Sequence, residues 1–284
     1  MSIKIIDLCY RHNDQRDFFA LKNINIRIDD GELVGLIGHT GSGKSTLLDN
    51  IIRIKKPTSG EILINDLNIH EKGFKVDRLR QEVGILFQHS EHQLFAETVY
   101  DDIAFGVRNK KMLDEKQKKA MVYEILELLD LDKSILGKSP FELSGGEMRL
   151  AAIAGVLIMK PKVLLLDEPT VGLDPAARKR ILNIILQLNK KQNITILLVS
   201  HNMEEIAEVT SRVIVMDKGN IILNGKPEYV FSHIETLEKS NLRAPQAAYV
   251  IYLLRQRGIN VRSDVITMSD AKREIISTFF KEGG

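Results

Sequence analysis

The sequence predicts an α/β protein with a mainly parallel core sheet, an antiparallel β-subdomain beside it, a helical subdomain and a small C-terminal helical appendage. Three observations predict it. Residues 33–37, 163–166 and 195–199 are apolar or glycine throughout apart from Thr195, as strands buried on both faces of a parallel sheet must be, and helical patterns stand between them. Residues 21–28 instead alternate apolar and polar, the mark of a sheet open to solvent on one face. Gly38-His39-Thr40-Gly41-Ser42-Gly43-Lys44-Ser45-Thr46 fits G-x-x-x-x-G-K-[ST] between an apolar run and a helical one. A strand, a glycine-rich turn and a helix start form an anion cradle, in which Lys44 reaches the β- and γ-phosphates and the Ser45 hydroxyl faces Mg²⁺.

In chain order, residues 3–8 and 21–28 read as strands, and Asp29-Asp30-Gly31-Glu32 is the turn into the strand before the phosphate loop. Pro57-Thr58-Ser59-Gly60 is a further turn before a strand at 61–64. Residues 83–87 form a strand ending at Gln88, and residues 98–158 look mostly helical. Within them Val122, Ile125, Leu126 and Leu129 recur at helical spacing opposite Lys116, Lys118 and Lys119, a solvated face. Residues 176–190 repeat the helical pattern, with Ile181, Ile184, Ile185 and Leu188 on one side. Residues 212–216 and 221–223, joined by Asp217-Lys218-Gly219-Asn220, read as a hairpin. Beyond Pro227, residues 245–257 suit a helix with proline in its first turn and Gly258 past its end, and Thr267-Met268-Ser269-Asp270 caps another carrying Ala271, Ile275 and Phe279. The expected division is residues 1–234 and a helical segment 235–284, the latter too poor in apolar residues to fold alone.

The 284 residues allow one large domain or two, and 44% hydrophobic with 27% charged residues is ordinary for a globular protein. A net charge of +2 gives no ground for a nucleic-acid partner. One cysteine, Cys9, excludes an internal disulfide, suits a reducing compartment and reads as a small packed residue of the first strand. Met1-Ser2-Ile3-Lys4 has no signal-peptide pattern, and the longest apolar candidate, residues 151–159, is about half a membrane span. The chain is therefore not expected to cross a bilayer.

Two further stretches carry chemistry. Residues 163–168 are an apolar strand ending in Asp167 and Glu168; the first carboxylate at such a strand end can hold Mg²⁺ opposite Ser45, and the second can polarise a water for attack on a γ-phosphate. The same pair also suits an acidic turn before Pro169-Thr170. Leu143-Ser144-Gly145-Gly146-Glu147 precedes a helix expected from about Met148 to Met159, and makes either a second anion nest or an ordinary N-cap with flexible glycines. One nucleotide needs one nest, so a second requires an explanation.

Together these pieces resemble the ATP-binding subunits of ABC transporters over about residues 3–230. The Walker A loop is residues 38–46, the Q-loop glutamine Gln88, the signature residues 143–147, Walker B residues 163–167 with catalytic Glu168, the D-loop Gly172-Leu173-Asp174 and the switch histidine His201. The resemblance implies two subunits sandwiching two ATP molecules, each P-loop facing the other chain's signature. Ser144, Gly145, Gly146 and Glu147 then meet nucleotide held by a partner, and Asp174 crosses the interface. Lys44, Gln88, Glu168 and His201 serve hydrolysis, while Ser45, Gln88 and Asp167 serve Mg²⁺. The adenine-stacking residue falls on His12 or Tyr10.

A finer resemblance is to energy-coupling factor (ECF) transporter ATPases, importers' motors for vitamins and transition-metal ions. It rests on Phe87-Gln88, Gln93-Leu94-Phe95, Thr98-Val99, residues 102–106 and residues 139–146, with Gly38-His39-Thr40 and Met148-Arg149 matching the second of the paired paralogues. Val107 and Glu147 depart from that group's usual proline and glutamine. The resemblance implies a second ATPase subunit (a paralogue or a copy), a transmembrane coupling subunit, a substrate-binding membrane subunit, a tail that dimerises, and a peripheral place on the cytoplasmic side of the cell membrane. Glu91, Glu97, Asp101 and Asp102 suit basic helix ends of the membrane partner, or a solvated acidic loop. His89 and His92 (H-x-x-H) have no Cys or third His nearby to complete a metal site. The alternatives are the ATPase of an ordinary ABC transporter and a soluble ABC ATPase.

Overall fold

In the computed structural model, the described residues are 1–12, 19–108, 110 and 113–279. Two sheets organise them. β1 (Ile3–Arg11), β2 (Phe19–Ile28), β4 (Ser59–Ile64) and β5 (Leu67–Asn68) form an antiparallel sheet in the order β2-β1-β4-β5. Ile3 pairs with Ile28 on one side and Ile64 on the other. The second sheet has six strands, ordered β10 (Asn220–Gly225), β9 (Arg212–Asp217), β3 (Leu33–Ile37), β8 (Thr195–Val199), β7 (Val163–Asp167) and β6 (Val83–Leu86). All its neighbours are parallel except the β9–β10 hairpin.

The unbroken apolar runs have a simple cause. Along β3, Leu33 and Ile37 enter one core while Val34 and Leu36 enter another; β7, β8 and β9 split their residues the same way. Side chains alternate across a strand, so a sheet covered on both faces needs apolar residues at every position. Leu165 and Leu198, both fully buried on opposite faces, each contribute about 1.5–3 kcal/mol of burial. The first core lies against the helical lobe, and the second between the two sheets.

α1 (Lys44–Ile51) follows β3, and α2 (Val76–Glu82) leads into β6. The expected helical block comprises α3 (Val99–Ala104), α4 (Glu115–Leu128) and α5 (Gly145–Leu157), joined by short 3₁₀ turns. α4 opens on a reciprocal cap between Asp114 and Gln117 and buries Val122, Ile125 and Leu126. α5 starts at Gly145, not near Met148. Ser144 and Glu147 cap each other there, which satisfies two end amides and holds two glycines inside a first turn that their propensities disfavour. α6 (Pro175–Gln192) and α7 (Met203–Val209) complete the α/β alternation.

Residues past β10 do not all behave alike. α8 (Pro227–Ser232) and α9 (Ile234–Lys239) give Val230, Phe231, Ile234 and Leu237 to the main core. α10 (Gln246–Gln256), α11 (Met268–Phe279) and the connection between them build a small core from Ala247, Ile251, Val261, Val265 and Ala271, braced by Arg262 against Glu274 at 2.9 Å, while Ala248 and Ile266 join the main core. Pro245 is the N-cap of α10, one residue ahead of the expected first turn. On α11 only Ala271 is buried; Ile276 and Phe279 are exposed, as are Val250 and Leu253 on α10. Residues 280–284 of the expected tail lie outside the described residues. Among the described residues no helix is long and apolar enough to cross a membrane.

Candidate nucleotide site

Four adjacent parallel strands, β3, β8, β7 and β6, end side by side, with Leu36 level with Val199, Val199 with Asp167, and Leu86 with Leu166. Their carboxyl ends carry the glycine-rich loop, Ser200-His201, Asp167-Glu168 and Gln88 respectively. Ligands of open parallel sheets bind at this edge. A cavity of about 360 Å³ opens there, lined by His12, Thr40, Gly41, Gly43, Lys44, Ser45, Thr46, Gln88, Glu168 and His201, with Ala20 beside them.

The loop's shape follows from its residues. A side chain at Gly38 would place a carbon 2.4 Å from Ser42 Oγ and 2.5 Å from the Met216 carbonyl. Gly43 caps α1 at φ +109°, a conformation that L-residues rarely adopt. His39 turns away from the cavity, with Nε2 2.8 Å from Asp217 Oδ1 at the end of β9 and Nδ1 2.6 Å from the Thr40 carbonyl oxygen. Ser42 is buried, and among the described residues its hydroxyl has no hydrogen-bond partner. The Lys44 ammonium donates to the Gly38 and His39 carbonyls at 2.7 and 3.1 Å, so the loop itself holds the cation that a phosphate would claim.

Opposite the loop, the Ser45 hydroxyl lies 3.4 Å from Asp167 Oδ2. Burial, reinforced by the charge of Glu168, pushes the Asp167 carboxyl above its usual range. Burial likewise lowers the Lys44 ammonium, with Glu168 and Asp167 pulling the other way. Glu168 sits in the left-handed backbone region, at φ +52°, which costs a non-glycine residue about 1 kcal/mol or more. Its backbone N–H donates to the Val199 carbonyl at 3.0 Å, and its Oε1 lies 2.7 Å from His201 Nε2. Beneath them, Glu205 accepts from the Thr170 and Ser200 hydroxyls at 2.8 and 3.2 Å, tying the turn after β7 to the turn after β8. Burial raises that carboxyl too.

The structure brings together most of the residues expected from the sequence, and separates others. His12 lines the cavity, whereas Tyr10 stands edge-on behind it at 5.1 Å between ring centroids. Ser144, Gly145, Gly146 and Glu147, at the start of α5, are not among the residues lining the cavity, nor is Asp174, which caps α6 through the Ala176 and Ala177 amides. Ser144 is held by Glu147, whose Oε2 accepts from its hydroxyl at 2.7 Å and its amide at 2.9 Å; these bonds keep the Glu147 carboxyl below its usual range.

Two of the four acids expected to face a partner turn inward instead. Asp102 is buried and accepts from the Phe95 and Ala96 amides, and Glu91 meets Arg149 at 2.8 Å. Carboxylates wholly or partly withdrawn from water require such partners, so neither offers free charge. Glu97 and Asp101 remain exposed. Cys9 is half-buried, and its sulfur accepts from the Asn23 amide. Among the described residues no cluster of three potential metal ligands occurs; the His89 and His92 rings stack at 5.7 Å. Sequence reasoning missed three supports of the site: Asp217 behind His39, Glu205 beneath both turns, and Arg149. The signal for Arg149 was a lone cation in a helix that is otherwise apolar beyond Glu147.

The family model for ABC transporters matches residues 21–171. An energy-coupling factor transporter ATP-binding protein EcfA2 from Clostridium tetani is 45% identical over 282 residues, covering 98% of each chain. One from Caldanaerobacter subterraneus subsp. tengcongensis is 46% identical over 278 residues, covering 97% of each. Among solved structures, CbiO1 of Clostridium perfringens, described as part of the ABC transporter complex CbiONQ, superposes with a TM-score of 0.76 at 38% identity, over 88% of this chain and 98% of that one. The cassette MJ0796, solved as a dimer and in a post-hydrolysis state with ADP and Pi, superposes at a TM-score of 0.71 over 79% of this chain, at 27% and 26% identity. On its phosphate loop, its strand order and these full-length likenesses, the chain belongs to the ATP-binding proteins of ABC transporters, in their energy-coupling factor EcfA2 group, and is an ATPase.

Proposed function

We propose that this chain supplies one half of each of two composite ATP sites, in a dimer with a second ABC ATPase, and thereby powers an ECF-type importer of vitamins or transition-metal ions. The observation that carries this is the cavity's composition. Loop, Gln88, Glu168 and His201 share it, while Ser144, Gly145 and Gly146 open elsewhere, on a helix start capped by Glu147 and outside that cavity. Only a second subunit completes a site built from both halves.

In this reading the triphosphate lies along the start of α1, whose first-turn amides lack helical partners. Lys44 exchanges the Gly38 and His39 carbonyls for phosphate oxygens. His12 stacks on adenine, backed by Tyr10. Mg²⁺ fits the opening between Ser45 and Asp167: both present hard oxygen ligands, and two buried carboxylates against one ammonium leave a negative charge that a triphosphate would worsen. Bound there with Gln88 alongside, the ion would neutralise charge on the phosphates. Glu168 orients and polarises the attacking water, His201 holds the γ-phosphate, and the partner's signature and D-loop close the site.

The membrane contact falls beside Gln88. An open, mostly apolar groove of about 510 Å³ runs past Phe87, lined by Ile52, Ile54, Leu79, Val156 and Met159, with Arg53 and Arg80 also on its wall. Nearby, exposed Phe95 and Phe105 meet edge-to-face at 5.0 Å, with Glu97 and Asp101 on the rim. The aromatic patch with Glu97 and Asp101 at its edge, rather than the arginine-flanked groove, suits a helix carrying both apolar and basic residues. The chain would then sit peripherally on the cytoplasmic side of the cell membrane. Purification from native membranes tests the whole reading: a second ATPase and two membrane proteins should co-purify, and the complex should hydrolyse ATP. A chain that purifies alone from membrane and cytosol alike refutes the importer.

A further inference from the structure

Arg149 stands at the meeting point of three segments that the proposed reaction uses separately. It lies on α5, two residues past the signature, and is 3% exposed. One guanidinium nitrogen donates to the carbonyls of Glu168 and Pro169, each at 3.3 Å, and another to the carbonyl of Val171 at 3.3 Å. The second nitrogen also meets Glu91 Oε2 at 2.8 Å, within the 3₁₀ turn Ser90–Gln93 that follows Gln88. A single planar fork therefore joins the signature helix, the segment after Gln88 and the turn that carries Glu168.

The chemistry of these contacts is informative. Glu168 keeps a left-handed backbone, which persists only where the surroundings hold it. Its N–H is fixed by Val199 and its carbonyl by Arg149, so the guanidinium is one of the groups that sets where the carboxylate points. The contact with Glu91 is a charge contact without hydrogen-bond alignment: Glu91 Oε2 and Arg149 Nε are buried with no hydrogen-bond partner among the described residues. A close, desolvated and imperfectly aligned pair is steep in energy, so a small displacement of Glu91 alters how firmly Arg149 grips the carbonyls.

We propose that Arg149 is a positioning residue for ATP hydrolysis, transmitting the location of the Glu91 segment to the Glu168 carboxylate through the backbone carbonyls of Glu168, Pro169 and Val171. This rests on the assignment of Glu168 to the attacking water. Its consequence is that the membrane-facing segment gates catalysis by a second route besides Gln88 itself. A subunit whose Gln88 segment is displaced binds ATP normally but holds Glu168 out of line.

The test uses the full chain assembled with its partner ATPase and compares Glu91→Gln, Arg149→Lys, Arg149→Met and the double variant Glu91→Gln/Arg149→Met with wild type and Glu168→Gln. Glu91→Gln should lower kcat about tenfold while leaving KM, nucleotide affinity and melting temperature near wild type, since misplacement rather than lost binding is the effect. Arg149→Met should lower kcat further, Arg149→Lys should recover part of it, and the double variant should be no slower than Arg149→Met. Where Arg149→Met does not fold, Glu91→Gln and Arg149→Lys carry the test. The proposal is overturned if those two turn over within about twofold of wild type, or if their deficit lies in KM alone. Glu168→Gln separates the failures: if it is inactive while the Glu91 and Arg149 variants are normal, only the positioning role falls. Normal turnover by Glu168→Gln removes the role of Glu168 and this proposal with it.

Discussion

Replacing Glu168 by glutamine probes the proposed chemistry most directly, because the structure isolates the charge from everything else the side chain does. Glu168 is buried beside β7, and its Oε1 lies 2.7 Å from His201 Nε2. Glutamine has nearly the same size, and its amide oxygen still accepts from the imidazole, so packing and the His201 contact survive. What disappears is the negative charge that orients and polarises a water. General-base assistance is worth about 10²–10⁴ in rate, or about 3–5 kcal/mol of transition-state stabilisation. Nucleotide binding should move the other way. Glu168 adds to the raised pKa of Asp167, so without it that carboxyl ionises more readily toward Mg²⁺. Its removal also takes away repulsion toward the γ-phosphate, worth a few kcal/mol at close range with an effective dielectric of about 20. The affinity for ATP with Mg²⁺ should therefore be equal or tighter, and an ATP-bound dimer should accumulate. Phosphate release read beside light scattering on the same sample checks both halves. Turnover within about threefold of wild type would refute the assignment, since removing a general base costs far more than that.

Further predictions address the other parts. Asp167→Asn should raise the melting temperature of the nucleotide-free protein by a few degrees, on the order of 1 kcal/mol, while abolishing Mg²⁺-dependent hydrolysis, as calorimetry and phosphate release would report. The sign follows from its raised pKa: folded Asp167 holds its proton more tightly than the unfolded chain does. Stability is therefore lost as pH rises from the ordinary carboxylate range through the raised folded value, and the Asn variant should lack that slope. Asp217→Asn, which weakens the anchor of His39, should reduce nucleotide affinity by about fivefold at most, because the pair is partly exposed; titration with a fluorescent nucleotide measures it. Leu253→Glu with Ile276→Glu, on the exposed faces of α10 and α11, should weaken subunit pairing at least about tenfold without lowering the melting temperature. Unchanged dimer dissociation in ultracentrifugation would sink the dimerising role of the tail. Reversing Glu97 and Asp101, which are exposed, should separate the ATPase from its membrane partner and spare ATP binding; Glu91 is unsuited to that experiment, because its reversal would strand Arg149.

The sequence by itself determined the two sheets, the order of the strands' chemistry and the family. These are local properties: a strand buried on both faces must be apolar at every position, as residues 163–166 are, and a phosphate loop needs its glycines, lysine and serine contiguous. It also implied a dimer, since one chain carried two anion nests, at residues 38–46 and 144–146. Only the tertiary structure decided which of those residues meet. Parallel pairing of β3, β8, β7 and β6 set Lys44, His201, Glu168 and Gln88 at one edge, and left Ser144 and Asp174 outside it. It decided between His12 and Tyr10 as cavity lining, and turned Glu91 and Asp102 inward. Asp217, Glu205 and Arg149 stayed hidden for the same reason. Each acts through a partner that the chain brings near only on folding: Asp217 on His39, Glu205 on Thr170, Arg149 on Glu91 and the turn of Glu168. Residue type and spacing record what a group can do. Whether a charge is buried, and against what, depends on contacts between residues far apart in sequence, and those are fixed only when the sheet and the helical lobe close on one another.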